Sequence, residues 1–89
     1  MISNQLSIIN RLGLHARAAA KFVNLANQFE STISVSRNSR TINGKSIMGL
    51  MMLAAAKGSE ITVSIDGSDE QDAMAAITRL VDDRFEETE

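Results

Sequence analysis

Every strand-like run in this chain is apolar on one face and polar on the other, so it must build a sheet with one covered side and one wet side. Ile61-Thr62-Val63-Ser64-Ile65 is the clearest case: three branched apolar residues alternate with two hydroxyls. Thr32-Ile33-Ser34-Val35-Ser36 alternates in the same way, and Arg37-Asn38-Ser39-Arg40 reads as a hairpin turn into a short strand, Thr41-Ile42-Asn43. Leu6-Ser7-Ile8, with a second apolar residue at Ile9, predicts a first strand that Asn10-Arg11-Leu12-Gly13 breaks. Parallel strands are buried on both faces and read as unbroken apolar runs, so this pattern predicts an antiparallel sheet.

Between the strands the spacing becomes helical. From Ala16 onward, Ala19, Phe22, Val23 and Ala26 fall at i, i+3, i+4 and i+7, among alanines that favour helix. Ser46 is placed to cap a short helix from Ile47 to about Ala55, which Lys57-Gly58 is expected to stop. A third helix follows Asp66-Gly67, with Ser68 and Gln71 at capping-box spacing and Ala73, Ile77, Leu80 and Val81 as its buried stripe. Beyond Phe85, the tail Glu86-Glu87-Thr88-Glu89 is expected to fray. The order β-α-β-β-α-β-α predicts an α+β fold, an open-faced β-sandwich of four antiparallel strands with three helices on one face. Residues 1–89 make one domain, its core built from aliphatic side chains because there are only three Phe and no Tyr or Trp.

Composition excludes several functions. With no Cys there is neither a disulfide framework nor a thiolate metal site, and a lone His makes a structural metal site untenable. No basic-then-apolar leader and no run of about eighteen apolar residues is present, so a cytoplasmic protein without membrane insertion is expected. Charge is divided: residues 1–57 carry seven basic and one acidic side chain, net +6, whereas residues 58–89 carry two basic and ten acidic, net −8. Such a dipole can steer an acidic partner or an anion to one part of the surface, although an acidic tail also serves solubility. The strands offer no aromatics to stack bases and the acidic half repels a phosphate backbone, which argues against nucleic acid. A free-standing enzyme would lack a second catalytic group beside the one imidazole.

That imidazole, His15, falls where strand-type sequence gives way to helix-type sequence, in Gly13-Leu14-His15-Ala16-Arg17. At a helix N-terminus the first N–H groups lack partners and the dipole end is positive, so the backbone N–H groups of Ala16 and Arg17 can hold a phosphate. The Arg17 guanidinium is shaped for phosphate oxygens. Imidazole is a nucleophile of ordinary pKa about 6.5, and positive surroundings disfavour its protonation. A neutral ring nitrogen beside an anion site is what reversible phosphoryl capture needs, with no metal or cofactor. Gly13 is expected to relax the backbone where a partner comes close. By itself, however, His-x-Arg is a weak signal, since a lone His near a helix start is more often a cap.

Gly13-Leu14-His15-Ala16-Arg17-Ala18-Ala19-Ala20 resembles the phosphohistidine signature of the histidine-containing phosphocarrier (HPr) family of the bacterial phosphoenolpyruvate-dependent phosphotransferase system. Asn43-Gly44-Lys45-Ser46-Ile47-Met48-Gly49-Leu50-Met51-Met52-Leu53-Ala54 resembles the same family's regulatory-serine segment. The resemblance covers nearly the whole chain. It implies strand order 1-4-2-3, phosphorylation of His15 at Nδ1 by phosphorylated enzyme I, and onward transfer to a histidine of an EIIA-type protein in sugar uptake. A nitrogen-regulatory paralogue shares these motifs and is the alternative. The family commonly has Pro where this chain has Ala18, and Ala suits the first helical turn with somewhat softer geometry. Ser46 carries two compatible expectations: an N-cap, and a phosphorylation site for an HPr kinase/phosphorylase. Leu50 and Leu53 are the expected core pair of the short helix, leaving Ile47, Met48 and Met51 as an adaptable docking patch rimmed by Arg17 and Lys45. A monomer is expected; the other reading, a ligand- or RNA-binding α+β module, fits these residues less well.

Overall fold

A computed structural model describes residues 1–87. Four strands, β1 (Ile2–Ser7), β2 (Thr32–Arg37), β3 (Arg40–Asn43) and β4 (Glu60–Asp66), form one sheet in the order β1-β4-β2-β3, every neighbour antiparallel. Three helices, α1 (Ala16–Ala26), α2 (Ile47–Met52) and α3 (Glu70–Asp82), connect and cover them, and a 3₁₀ turn (Arg84–Glu86) follows α3. This is the open four-stranded α+β fold that alternation and helical spacing predicted.

Register shows why the alternation mattered. Ile33 stands opposite Ile65 and Val35 opposite Val63, all four buried, while Ser34 and Ser64 pair one residue along on the wet face. Leu6 of β1 completes this inner face against Ile61. Phe22 and Val23 of α1, Leu50 of α2, and Ile77 and Val81 of α3 close the same core. Each such side chain stabilises the fold by about 1.5–3 kcal/mol relative to exposure.

Four local expectations are corrected. The first strand begins at Ile2 and ends at Ser7, with buried Ile8 beyond it. Its early half was hidden because Asn4 holds the inward register position opposite Val63 and breaks the apolar alternation, which an edge strand tolerates. Helix α2 ends at Met52 rather than near Ala55, with Leu53 as C-cap and Ala54 at φ 52. Two hairpin residues make that early stop tolerable: Arg37 donates to the Leu53 carbonyl at 3.0 Å and Arg40 to the Met52 carbonyl at 2.9 Å. These bonds satisfy helix-end acceptors from a distant part of the sequence.

The third helix starts after Asp69, not after Ser68. The Asp69 carboxylate accepts from the Ser31 hydroxyl and from the backbone N–H groups of Ser31 (3.0 Å) and Glu30 (2.9 Å), tying α3 to the start of β2. Those bonds, led by the one from the Ser31 hydroxyl, hold its carboxyl below the ordinary value. Of the predicted stripe, Ala73, Ile77 and Val81 are buried and Leu80 is partly so, with Met74 added to it. Finally, the acidic tail does not fray from Glu86. Arg84, Phe85 and Glu86 all have positive φ, at 55, 54 and 66, and turn the chain back so that Phe85 is fully buried. Thr88 and Glu89 lie outside the described residues. No helix among the described residues is long and apolar enough to cross a membrane.

Candidate functional site

The loop before α1 is fixed by backbone contacts. Gly13 has φ +67, and a Cβ there would lie 2.5 Å from the Ala55 carbonyl oxygen and 2.9 Å from Ala56 Cα. Only glycine fits that approach. The close contact is therefore internal, against the chain that follows α2, rather than room left for a partner. Leu14 N–H donates to the same Ala55 carbonyl at 2.9 Å, so His15 leaves this loop at a set position.

His15 is the N-cap of α1, extended at φ −76 and ψ 179, and its side chain does not cap the helix. Its carbonyl accepts the first helical bond, from Ala19 N–H at 2.8 Å. No acidic residue occupies the first turn, and among the described residues no side chain bonds the N–H groups of Ala16, Arg17 or Ala18. The positive helix end thus stays available beside the ring. The Arg17 side chain is exposed in that first turn and makes no hydrogen bond or ion pair among the described residues. Ala18 is fully buried, packed into the core. The ring borders an open hollow of ≈ 440 Å³ lined by Arg11, Leu12, His15, Arg17, Lys21, Glu86 and Glu87.

Several contacts around the ring escaped the sequence reading. Glu87 Oε2 lies 2.5 Å from His15 Nε2, and Glu87 Oε1 accepts from Asn10 Nδ2 at 3.2 Å. Asn10 is fully buried and also donates to the Gly13 carbonyl at 2.8 Å. Burial by itself would raise the Glu87 carboxyl. The hydrogen bonds from His15 and Asn10, with the charges of His15 and Lys21, outweigh it and hold Glu87 below its ordinary value. Lys21, one turn beyond Arg17, donates to the Phe85 carbonyl at 2.8 Å and pairs with Glu86 at 3.3 Å, clamping the returning tail. Only Asn10 left a local signal, a polar residue ending an apolar run; the approach of Glu87 depends on tertiary turns.

Ser46 caps α2 as predicted, its hydroxyl accepting from Gly49 N–H at 3.0 Å. Leu50 and Leu53 are buried, while Ile47, Met48, Met51 and also Met52 are exposed, Met48 at 75%. Lys45 does not stand beside Arg17. Its ammonium donates to the Phe29 carbonyl at 2.8 Å, past the C-terminal end of α1, whereas Arg17 lies in the first turn. The length of that helix, about 1.5 Å per residue, separates the two cations.

The chain matches a family model described as the PTS HPr component phosphorylation site over residues 2–83. It is 54% identical over 89 residues to phosphocarrier protein HPr of Neisseria meningitidis serogroup A, covering 100% of both chains. To phosphocarrier protein HPr of Cupriavidus necator it is 53% identical over 89 residues, again covering 100% of each. Its structure superposes on the crystal structure of HPr-C-His from Thermoanaerobacter tengcongensis with a TM-score of 0.96 at 39% identity, covering 100% of each chain. Sequence and fold agree: the chain belongs to the HPr family, phosphocarriers of the phosphotransferase system.

Proposed function

We propose that this phosphocarrier takes its phosphoryl group on His15 Nδ1 from phosphorylated enzyme I and passes it to a histidine of an EIIA-type protein, in the cytoplasm and as a monomer. One observation carries this reading: the only imidazole stands at a helix N-terminus that no described side chain caps, with the Arg17 guanidinium in the first turn, unpaired among the described residues. In each transfer the attacking nitrogen's lone pair forms the new N–P bond as the donor's N–P bond breaks, and the donor nitrogen keeps that electron pair. The phosphoryl oxygens are held by the N–H groups of Ala16 and Arg17 and by the Arg17 side chain. Because the backbone N–H groups are fixed by the helix before the partner arrives, little of their reorganisation remains for the transfer itself. The first turn is formed with Ala18 in place, so the missing Pro does not remove the anion-holding backbone.

Arg17 should matter to transfer and hardly to folding, since its side chain is exposed and makes no bond among the described residues. Arg17→Ala is expected to slow transfer from enzyme I at least about tenfold, or ~1.4 kcal/mol of barrier, with a near-wild-type melting temperature. Equal damage to rate and to melting temperature would make Arg17 a structural residue instead. We place the protein in the sugar-uptake branch. Initial labelling rates with phosphoenolpyruvate and enzyme I from each branch test this, and faster labelling by the nitrogen-branch enzyme would assign it to that system.

The docking face is proposed to be Ile47, Met48 and Met51 together with Arg17, with Lys45 at a far margin. Methionine adapts to partners of different shape, and an acidic rim on the partner would meet the basic groups around His15. Ser46, at the start of that patch, is the proposed phosphorylation site for an HPr kinase/phosphorylase. Its cap should be worth roughly 1 kcal/mol. Ser46→Asp can still cap, so its melting temperature should be at least that of Ser46→Ala, yet it should accept phosphate from enzyme I more slowly at low salt. The deficit should shrink at high salt, where exposed charges are screened. Wild-type transfer by the Asp variant at low salt would place Ser46 outside the docking face.

A further inference from the structure

The carboxylate on the back of the imidazole is built into the site from two directions. The left-handed turn at Arg84–Glu86 aims the chain at the hollow, and buried Phe85 anchors it. On the other side, fully buried Asn10 offers one amide to both the Gly13 carbonyl and Glu87 Oε1. A buried amide sharing its donors between the His15 loop and the tail fixes the distance between them. The other Glu87 oxygen is thereby presented to Nε2 at 2.5 Å, with both side chains mostly shielded from solvent.

An ionised carboxylate can only accept, so the neutral ring must donate from Nε2 and keep its proton there. Nδ1, which has no hydrogen-bond partner among the described residues, is left with the free lone pair. As Nδ1 bonds phosphorus, that lone pair is committed while the Nε2 proton remains, and the ring becomes positively charged. On onward transfer the electron pair returns to Nδ1 and the charge disappears. A fixed anion at Nε2 stabilises the charged ring and costs no reorganisation, the service a buried carboxylate performs for histidine in hydrolytic triads.

We infer that Glu87 is a positioning residue of the relay: it holds the His15 tautomer that bares Nδ1, and it balances the charge the ring takes on while phosphorylated. This rests on the proposal that His15 is the acceptor. The other charged groups lining the hollow are Arg11, Arg17, Lys21 and Glu86. Among the described residues, Glu87 is the group bonded to Nε2.

The test compares wild type, Glu87→Gln and Glu87→Ala, each with ¹⁵N-labelled histidine, by NMR in water and in transfer from phosphorylated enzyme I. Wild type should show an Nε2–H proton shifted downfield and protected from exchange, absent in Glu87→Ala. Both variants should lower kcat about fivefold with KM unchanged, because the lost contact is to the ring and not to the partner. Melting temperatures locate any structural contribution separately. Label on His15 with equal or faster kcat in the variants overturns this inference alone, the faster case making the tail a plug. A change confined to KM, or an unprotected Nε2–H in wild type, overturns it as well. Failure of wild type to label His15 sinks instead the acceptor reading on which it rests.

Discussion

Phe85→Ala should cost about 3–5 kcal/mol of stability, the range for emptying a large aromatic site in a packed core. Phe85 is fully buried although it lies beyond the last regular helix. Its burial offsets an unfavourable backbone: Arg84, Phe85 and Glu86 are consecutive left-handed residues, none of them glycine. That conformation costs roughly 1–2 kcal/mol per residue for L-amino acids. With the aromatic anchor removed, nothing of comparable size opposes that cost, and the turn should relax. Lys21 would then lose its bond to the Phe85 carbonyl, and Glu87 its approach to His15. Urea unfolding checks the first consequence, and the Nε2–H resonance of His15 checks the second. A loss within about 0.5 kcal/mol, the ordinary effect of a surface substitution, would mean that the turn is held by its own backbone.

How far the sequence carried the fold depends on where the stabilising partners lie. Strands β2 and β4 were legible because their alternation faces one core, and α1 because its apolar stripe begins at the residue where the helix begins. Ser46 was legible because capping is a local bond, over three residues. The end of α2 was not, because Arg37 and Arg40 reach its last carbonyls from a hairpin more than ten residues away. The ties of Asp69 were hidden for a similar reason: its carboxylate bonds Glu30 and Ser31, just before β2 and far away in sequence, instead of its own helix. At the site, His15, Arg17 and the helix start could be read directly. Glu87 could not, since acidic residues near a chain end carry no local mark separating a solvated tail from one folded back on a histidine.

His15→Ala should abolish phosphoenolpyruvate-dependent labelling while leaving the fold nearly intact. The side chain makes no cap bond, and its bond to Glu87 is a single contact of a ring that is still about a quarter exposed, at 26%. The backbone of the loop is held independently, by Leu14 N–H on the Ala55 carbonyl and by Gly13 against Ala55 and Ala56. Loss of labelling in this variant would therefore report the loss of the acceptor and not of the structure. The chain contains no second imidazole to take over the role. The most direct measurement incubates wild type and folded His15→Ala with phosphoenolpyruvate and enzyme I, then maps the labelled residue and its stability to acid and alkali. An acid-labile, alkali-stable label on His15, absent from the variant, is the expected result; undiminished labelling of folded His15→Ala would contradict the carrier mechanism.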